Sequence, residues 1–228
     1  MKKREHSKTV DILIIILILG SLWGLSEVIV NGIIQQTGIP YRSGILIGVG
    51  MGLMGISVGI FKRFSFLIGI ALVAILCKQL VVPILGVSIM CKANSCLAVI
   101  IDSLALTGAA VLVGHKMYKK PKYRIIGGLA AGLSAGVVFY FVGMKTAPCP
   151  SLLTFAGLQG FGLFLLNKCL VWMVFSGIFF PVGYILGNRL KDIVFVIRTK
   201  KPLFYYASSV TLIVCCWLAV AFAIAAGY

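Results

Sequence analysis

Seven stretches of this chain run for roughly 20 residues or more with almost no polar side chain, and short polar segments separate them. They cover residues 10–34, 44–61, 65–87, 97–114, 125–143, 153–187 and 203–226. About 20 apolar residues cross the hydrocarbon layer of a bilayer as a helix, so each run predicts one span. The runs are continuous rather than alternating, which excludes the strands of a membrane barrel. Backbone groups inside lipid have no water to bond and must pair within their own segment. The predicted fold class is therefore all-α, a polytopic transmembrane helix bundle of about seven spans. It forms one integral membrane domain over 1–228, with a core over 10–187 and an extra C-terminal helix over 203–226. The sixth run is too long for one straight crossing, and its glycine-rich start TFAGLQGFG, followed by Pro181, predicts a short segment feeding a tilted or broken helix.

Composition strengthens this picture. The chain is 61% hydrophobic and 11% charged, with a mean hydropathy of +1.10, where soluble domains have roughly 45–50% apolar and about 25% charged residues. A formal charge of +16 would point a soluble protein toward nucleic acid. Here the basic residues cluster in 1–8, 62–64, 115–124 and 188–202, while 35–43, 88–96 and 144–152 hold one each. That alternation is an orientation signal: it predicts the N-terminus and the connectors near Lys62, Lys119 and Lys191 on the cytoplasmic side of the cell membrane, and Tyr228 outside. The partner it implies is the lipid bilayer, not nucleic acid. The opening MKKREHSK precedes an apolar run that continues to Ile34, too long for a cleaved signal, so it reads as a retained first helix.

Motifs for chemistry are scarce. The chain has no GxxxxGK[ST] loop, GxSG serine, HExxH or DxxD array, so neither nucleotide hydrolysis nor another enzymatic activity is expected, and no cofactor is implied. Of seven cysteines, Cys77, Cys169, Cys215 and Cys216 sit in apolar runs, whereas Cys91, Cys96 and Cys149 fall in connectors of the outer side, where a disulfide is permitted. Both histidines, His6 and His115, fall in cytoplasmic segments and cannot complete an outer metal site with those cysteines.

The informative residues are the charges within spans: Glu27, Lys78, Asp102 and Lys168. An ionisable group at the bilayer centre costs at least about 2.5 kcal/mol on insertion scales, so it turns inward and either pairs or lines a pathway. Rise per residue sets Glu27 and Lys78 at similar depth, where they can pair. Trp23, Glu27 and Asn31 recur every four residues and share one helix face. Gln79 beside Lys78, and Asn167 beside Lys168, bring further polar groups from other spans. Arg42, in the outer connector TGIPYRSG, stands near the same face. Two outcomes fit: buried ion pairs that fix helix register, or a pocket for a polar small molecule.

Glycines recur every four residues at Gly44, Gly48 and Gly52 and again at Gly128, Gly132 and Gly136. Each stripe lets another helix approach closely, either within this chain or from a separate docking subunit.

The stretch WGLSEVIVNGIIQQTGIPYRSGILIG, with LVAILCKQLVVPILG and CLAVIIDSLAL after it, resembles uncharacterised membrane proteins related to the substrate-binding S components of energy-coupling-factor (ECF) transporters. The resemblance spans 23–106 and lies in the Trp-Gly-x-x-Glu turn, the Pro-x-x-x-Gly loop, the lysine of span three and the acid of span four. It implies a six-helix core that captures a vitamin, a precursor or a metal ion from outside and docks on a transmembrane coupling subunit with two cytoplasmic ATPases. The seventh span lies beyond that core. Other classes compatible with the residues are a non-transporting subunit that assembles through its glycine helices and an intramembrane lipid or isoprenoid enzyme.

Overall fold

The computed structural model describes residues 2–114 and 116–227; the side chains of residues 2–8 and Cys91, and His115 and Tyr228 altogether, lie outside the described residues. The expectations placed on the N-terminal basic cluster, His6, Cys91, His115 and Tyr228 therefore fall there as well.

Among the described residues there is no strand, and seven helices are long and apolar enough to span a membrane. They are α1 (Thr9–Thr37), α2 (Arg42–Phe61), α3 (Leu67–Leu85), α4 (Ala93–Val113), α5 (Pro121–Thr146), α6 (Gly157–Lys200) and α7 (Pro202–Ala225). Leucines and isoleucines such as Leu13, Leu72, Leu104 and Ile178 remain exposed on the outside, as lipid-facing side chains do. This is an all-α multi-pass membrane bundle.

The first six spans close into a ring. Around it, α1 packs on α3, α3 on α4, α4 on α5, α5 on α6, α6 on α2, and α2 returns to α1. Trp23, Met51, Met54, Val58 and Leu106, all but inaccessible, fill the middle of the ring. In contrast, α7 lies outside the ring against α1, α3 and α6, with 22% of its apolar window buried against 61% for α2. The Trp217 indole donates to Ser21 Oγ at 2.9 Å, and a small apolar cluster of Val81, Val220 and Ile224 completes that contact.

The two glycine stripes converge on one helix. A Cβ added at Gly44 or Gly48 would meet Val171 or Phe175, and one at Gly52 would touch Phe179. On the opposite flank, a Cβ at Gly128 would come within 2.6 Å of Ser176 O, at Gly132 within 2.5 Å of Trp172 O, and at Gly136 within 2.6 Å of Cys169 Sγ. All six glycines are thus consumed by α6, and the docking surface for a separate subunit that their spacing allowed is closed by the chain's own helix. The physical reason is symmetric: α2 and α5 both need close approach to the same rod, and a missing Cβ on each provides it.

Helix α6 also departs from expectation. It starts within the glycine-rich stretch, at Gly157, and then continues through Pro181 without a break to Lys200. The segment 188–202, expected to be a connector, is helical up to Lys200. At about 1.5 Å per residue its 44 residues reach roughly 66 Å, well beyond the bilayer thickness. The protruding turns are held on the first span by an ion pair between Arg198 Nη2 and Asp11 Oδ2 at 2.6 Å, with the Tyr206 hydroxyl donating to the other carboxylate oxygen at 3.3 Å.

Candidate functional site

At the end of the ring where α1 passes to α2, α3 to α4 and α5 to α6, the spans diverge around a cavity of about 440 Å³. Its lining comes from α1 (Glu27, Asn31), α2 (Arg42, Leu46), α4 (Asn94, Ser95, Asp102), α5 (Phe139), the 147–156 connector (Leu152, Phe155) and α6 (Phe164, Lys168, Trp172).

Two local irregularities of the backbone aim charges into this space. Ser26–Val30 form a π turn in which the Asn31 N–H donates to Ser26 O, five residues back, and Leu165–Cys169 form a second, with the Leu170 N–H on Leu165 O. Glu27 lies in the first and Lys168 in the second. A π turn carries one extra residue and so advances the helix phase by about 100°, re-aiming whatever side chains follow. This separates Trp23 from Glu27 and Asn31, which simple four-residue spacing had put on one face. Trp23 is fully buried with its indole against Gly50 of α2, and it packs the ring below the cavity instead of lining it.

The charges resolve into a bonded set and an unbonded one. Lys78, 4% exposed, donates from Nζ to Glu27 Oε2 at 2.8 Å and also to the Ser95 hydroxyl, so one ammonium ties α3 to α1 and α4. The predicted Glu27–Lys78 pair is formed, with Lys78 behind the wall and Glu27 on it. Arg42 Nε donates to Asn31 Oδ1 across the mouth between α2 and α1. Gln79 lies outside the lining and donates to Ile89 O and Cys96 Sγ, each at 3.4 Å. Asn167 points outward and is exposed, because the π turn gives the inward position to Lys168.

Among the described residues, three buried polar atoms of the cavity lining are without partners: Asp102 Oδ1, Asn94 Nδ2 and the Trp172 indole Nε1. Asp102 is 3% exposed. Native proteins rarely leave such groups unsatisfied, because an unmade bond to a buried polar atom costs about 1–3 kcal/mol. The same cavity carries aromatic rings: Phe139 and Trp172 lie 5.4 Å apart between centroids, and Phe164 is edge-on to Trp172 at 6.4 Å. The wall therefore offers an acceptor, two donors, a lysine and a set of π faces.

Sequence reasoning singled out Glu27, Asn31, Arg42, Asp102 and Lys168, which line the cavity, and Lys78, which supports it. It missed Asn94 and the aromatics Phe139, Phe155, Phe164 and Trp172, whose residue types look like ordinary membrane core until the ring brings them together. Cys96 is buried and Cys149 contacts Ser151 Oγ at 3.1 Å; both are free thiols. Among the described residues no three His, Cys, Asp or Glu side chains gather where they could hold a metal ion.

Compared with protein-family models, curated proteins and solved structures, the chain matches none of them.

Proposed function

We propose that this chain is the substrate-binding membrane component of a transporter, and that the 440 Å³ cavity captures a small amphiphilic organic molecule. The observation that carries the reading is the set of three unpartnered buried atoms, Asp102 Oδ1, Asn94 Nδ2 and Trp172 Nε1, of residues that line one aromatic-lined cavity. A ligand with a donor for the carboxylate, acceptors for the amide and indole, and a flat apolar body satisfies all of them at once. A vitamin-like compound or its precursor has that character. A metal ion fits less well, since the wall lacks a cluster of metal donors.

In this reading the basic connectors and the N-terminus face the cytoplasm, as the positive-inside bias supports, and the cavity opens to the outside, on the capture side. The chain carries no nucleotide-binding loop, so energy for release comes from separate proteins, in this reading a transmembrane coupling subunit with two ATPases. Since both glycine stripes are occupied within the chain, such a partner contacts other surfaces.

The test is mass spectrometry of small molecules co-purifying with the full-length protein in detergent. Asp102→Leu keeps the approximate volume and removes the unpartnered oxygen; a hydrogen bond contributes about 0.5–1.5 kcal/mol, so ligand retention falls severalfold while the melting temperature holds. Unchanged retention in that variant, or a wild-type protein that carries no small molecule even after incubation with cell extract, refutes the reading.

A further inference from the structure

At the other end of the ring a second cavity, about 630 Å³, is lined by Lys62, Tyr118, Arg124, Tyr184, Asn188 and Arg189. It lies where α2 ends and α5 begins, the level at which apolar helix gives way to polar connector. The geometry points to a binding site for a phosphate group here, best matched by the phosphodiester of an anionic lipid head group.

The argument starts from charge. Among the described residues, three cations line the space and no carboxylate does. Two of them converge on one ring: Lys62 Nζ lies 4.1 Å and Arg124 Cζ 4.0 Å from the centroid of Tyr184. The two cations are therefore no more than about 8 Å apart, and like charges at such a separation repel unless something neutralises them. Among the described residues the ion pairs are Glu27–Lys78 and Asp11–Arg198, neither of them at this cavity. Asp192, three residues after Arg189 on the same helix, is outside the lining and makes no ion pair with it.

The cations are also held in place ahead of any ligand. Lys62 Nζ donates to Tyr184 OH and to Asn188 Oδ1, both at 2.8 Å, which leaves one of its three N–H groups. Arg124 donates from Nε to Met117 O at 2.9 Å and from Nη2 to Tyr118 O at 3.0 Å, which fixes the guanidinium plane and leaves three of five N–H groups. A fixed guanidinium beside an ammonium suits the oxygens of a phosphate, and Arg189 at the rim adds a third charge. Burial and the neighbouring Tyr184 phenol push the Tyr118 phenol above its usual range, so it stays neutral at physiological pH. Basic pockets between spans at the interface are where anionic head groups are recognised.

Native mass spectrometry of the full-length protein in detergent, titrated with phosphatidylglycerol and separately with phosphatidylcholine, tests this. The site predicts one phosphatidylglycerol held at least tenfold more tightly than phosphatidylcholine. Lys62→Gln should weaken that binding about tenfold. Arg189→Gln, at an exposed position with no side-chain bond to the described residues, should weaken it severalfold without altering the melting temperature. Lys200→Gln with Lys201→Gln, basic positions on the same side but outside the cavity, should leave it unchanged. Displacement of phosphatidylglycerol by millimolar inorganic phosphate supports the same site with a soluble phosphate as occupant; resistance to it supports the lipid. Equal binding of the two lipids, equal binding in wild type and Arg189→Gln, or an equal loss in the Lys200/Lys201 variant overturns the proposal.

Discussion

The two ends of the ring handle charge in opposite ways. At the end that holds the aromatic cavity, acids and bases are mixed, and several are bonded across helices: Lys78 to Glu27 and Ser95, Arg42 to Asn31. Inside the basic cavity, cations meet only neutral partners, a tyrosine ring, an amide and backbone carbonyls, and the nearest ion pair, Arg198 to Asp11, lies farther out on the same helix. Charge deep in the bundle must be cancelled locally, because water is not there to screen it. Near the interface the same charge is tolerated, and it stays available. The first arrangement therefore contributes to stability and the second does little for it.

The largest effect that tests this contrast is expected from Glu27→Ala. It strands Lys78 as a buried, uncompensated cation, which costs about 3–5 kcal/mol. Thermal unfolding in detergent should show a large drop, and adding Lys78→Met to the same chain should restore most of it. A Glu27→Ala protein as stable as wild type would mean that the pair is not desolvated.

A middle-sized effect is expected at the seam joining the two ends. Gly132→Leu forces a side chain against the Trp172 carbonyl and the Ser176 side chain of α6, and overpacking of this kind costs about 1–3 kcal/mol. Both cavities draw walls from α6, so ligand retention at one and lipid binding at the other should fall together. Loss at one alone would mean the ends are independent.

The smallest effect belongs to the basic end. Tyr184→Phe removes the hydroxyl that accepts from Lys62 at 2.8 Å, worth about 1 kcal/mol, while the ring that meets both cations remains. A drop in melting temperature as large as that of Glu27→Ala would erase the distinction between the two ends.

Much of this was legible in the residues. The seven spans are set by apolar run length, which the backbone obeys, so 44–61 becomes Arg42–Phe61 and 203–226 becomes Pro202–Ala225. The Glu27–Lys78 pair followed from depth alone. What escaped was anything depending on phase or on distant partners. The π turns at Ser26–Val30 and Leu165–Cys169 have no sequence mark, so Trp23 and Asn167 were assigned to the cavity wall when one is core and the other faces outward. The segment after Asn188 is rich in charge and reads as a connector, yet Arg198 finds Asp11, 187 residues earlier in the chain, and the helix continues. The basic residues of the connectors read as topology signals, which hid Lys62, Arg124 and Arg189 as a cluster.

Pro181 sits three quarters of the way along the part of α6 that separates Trp172 from Tyr184, a distance of about 18 Å at helical rise. Proline brings no amide hydrogen, so the carbonyl of Gly177 goes without its usual axial bond at that one level. A rod weakened at a single joint flexes there rather than along its length. If occupancy of the aromatic chamber tilts the upper half of this shaft, the bend is delivered at Pro181, and it is the tyrosine clasping two cations below that swings.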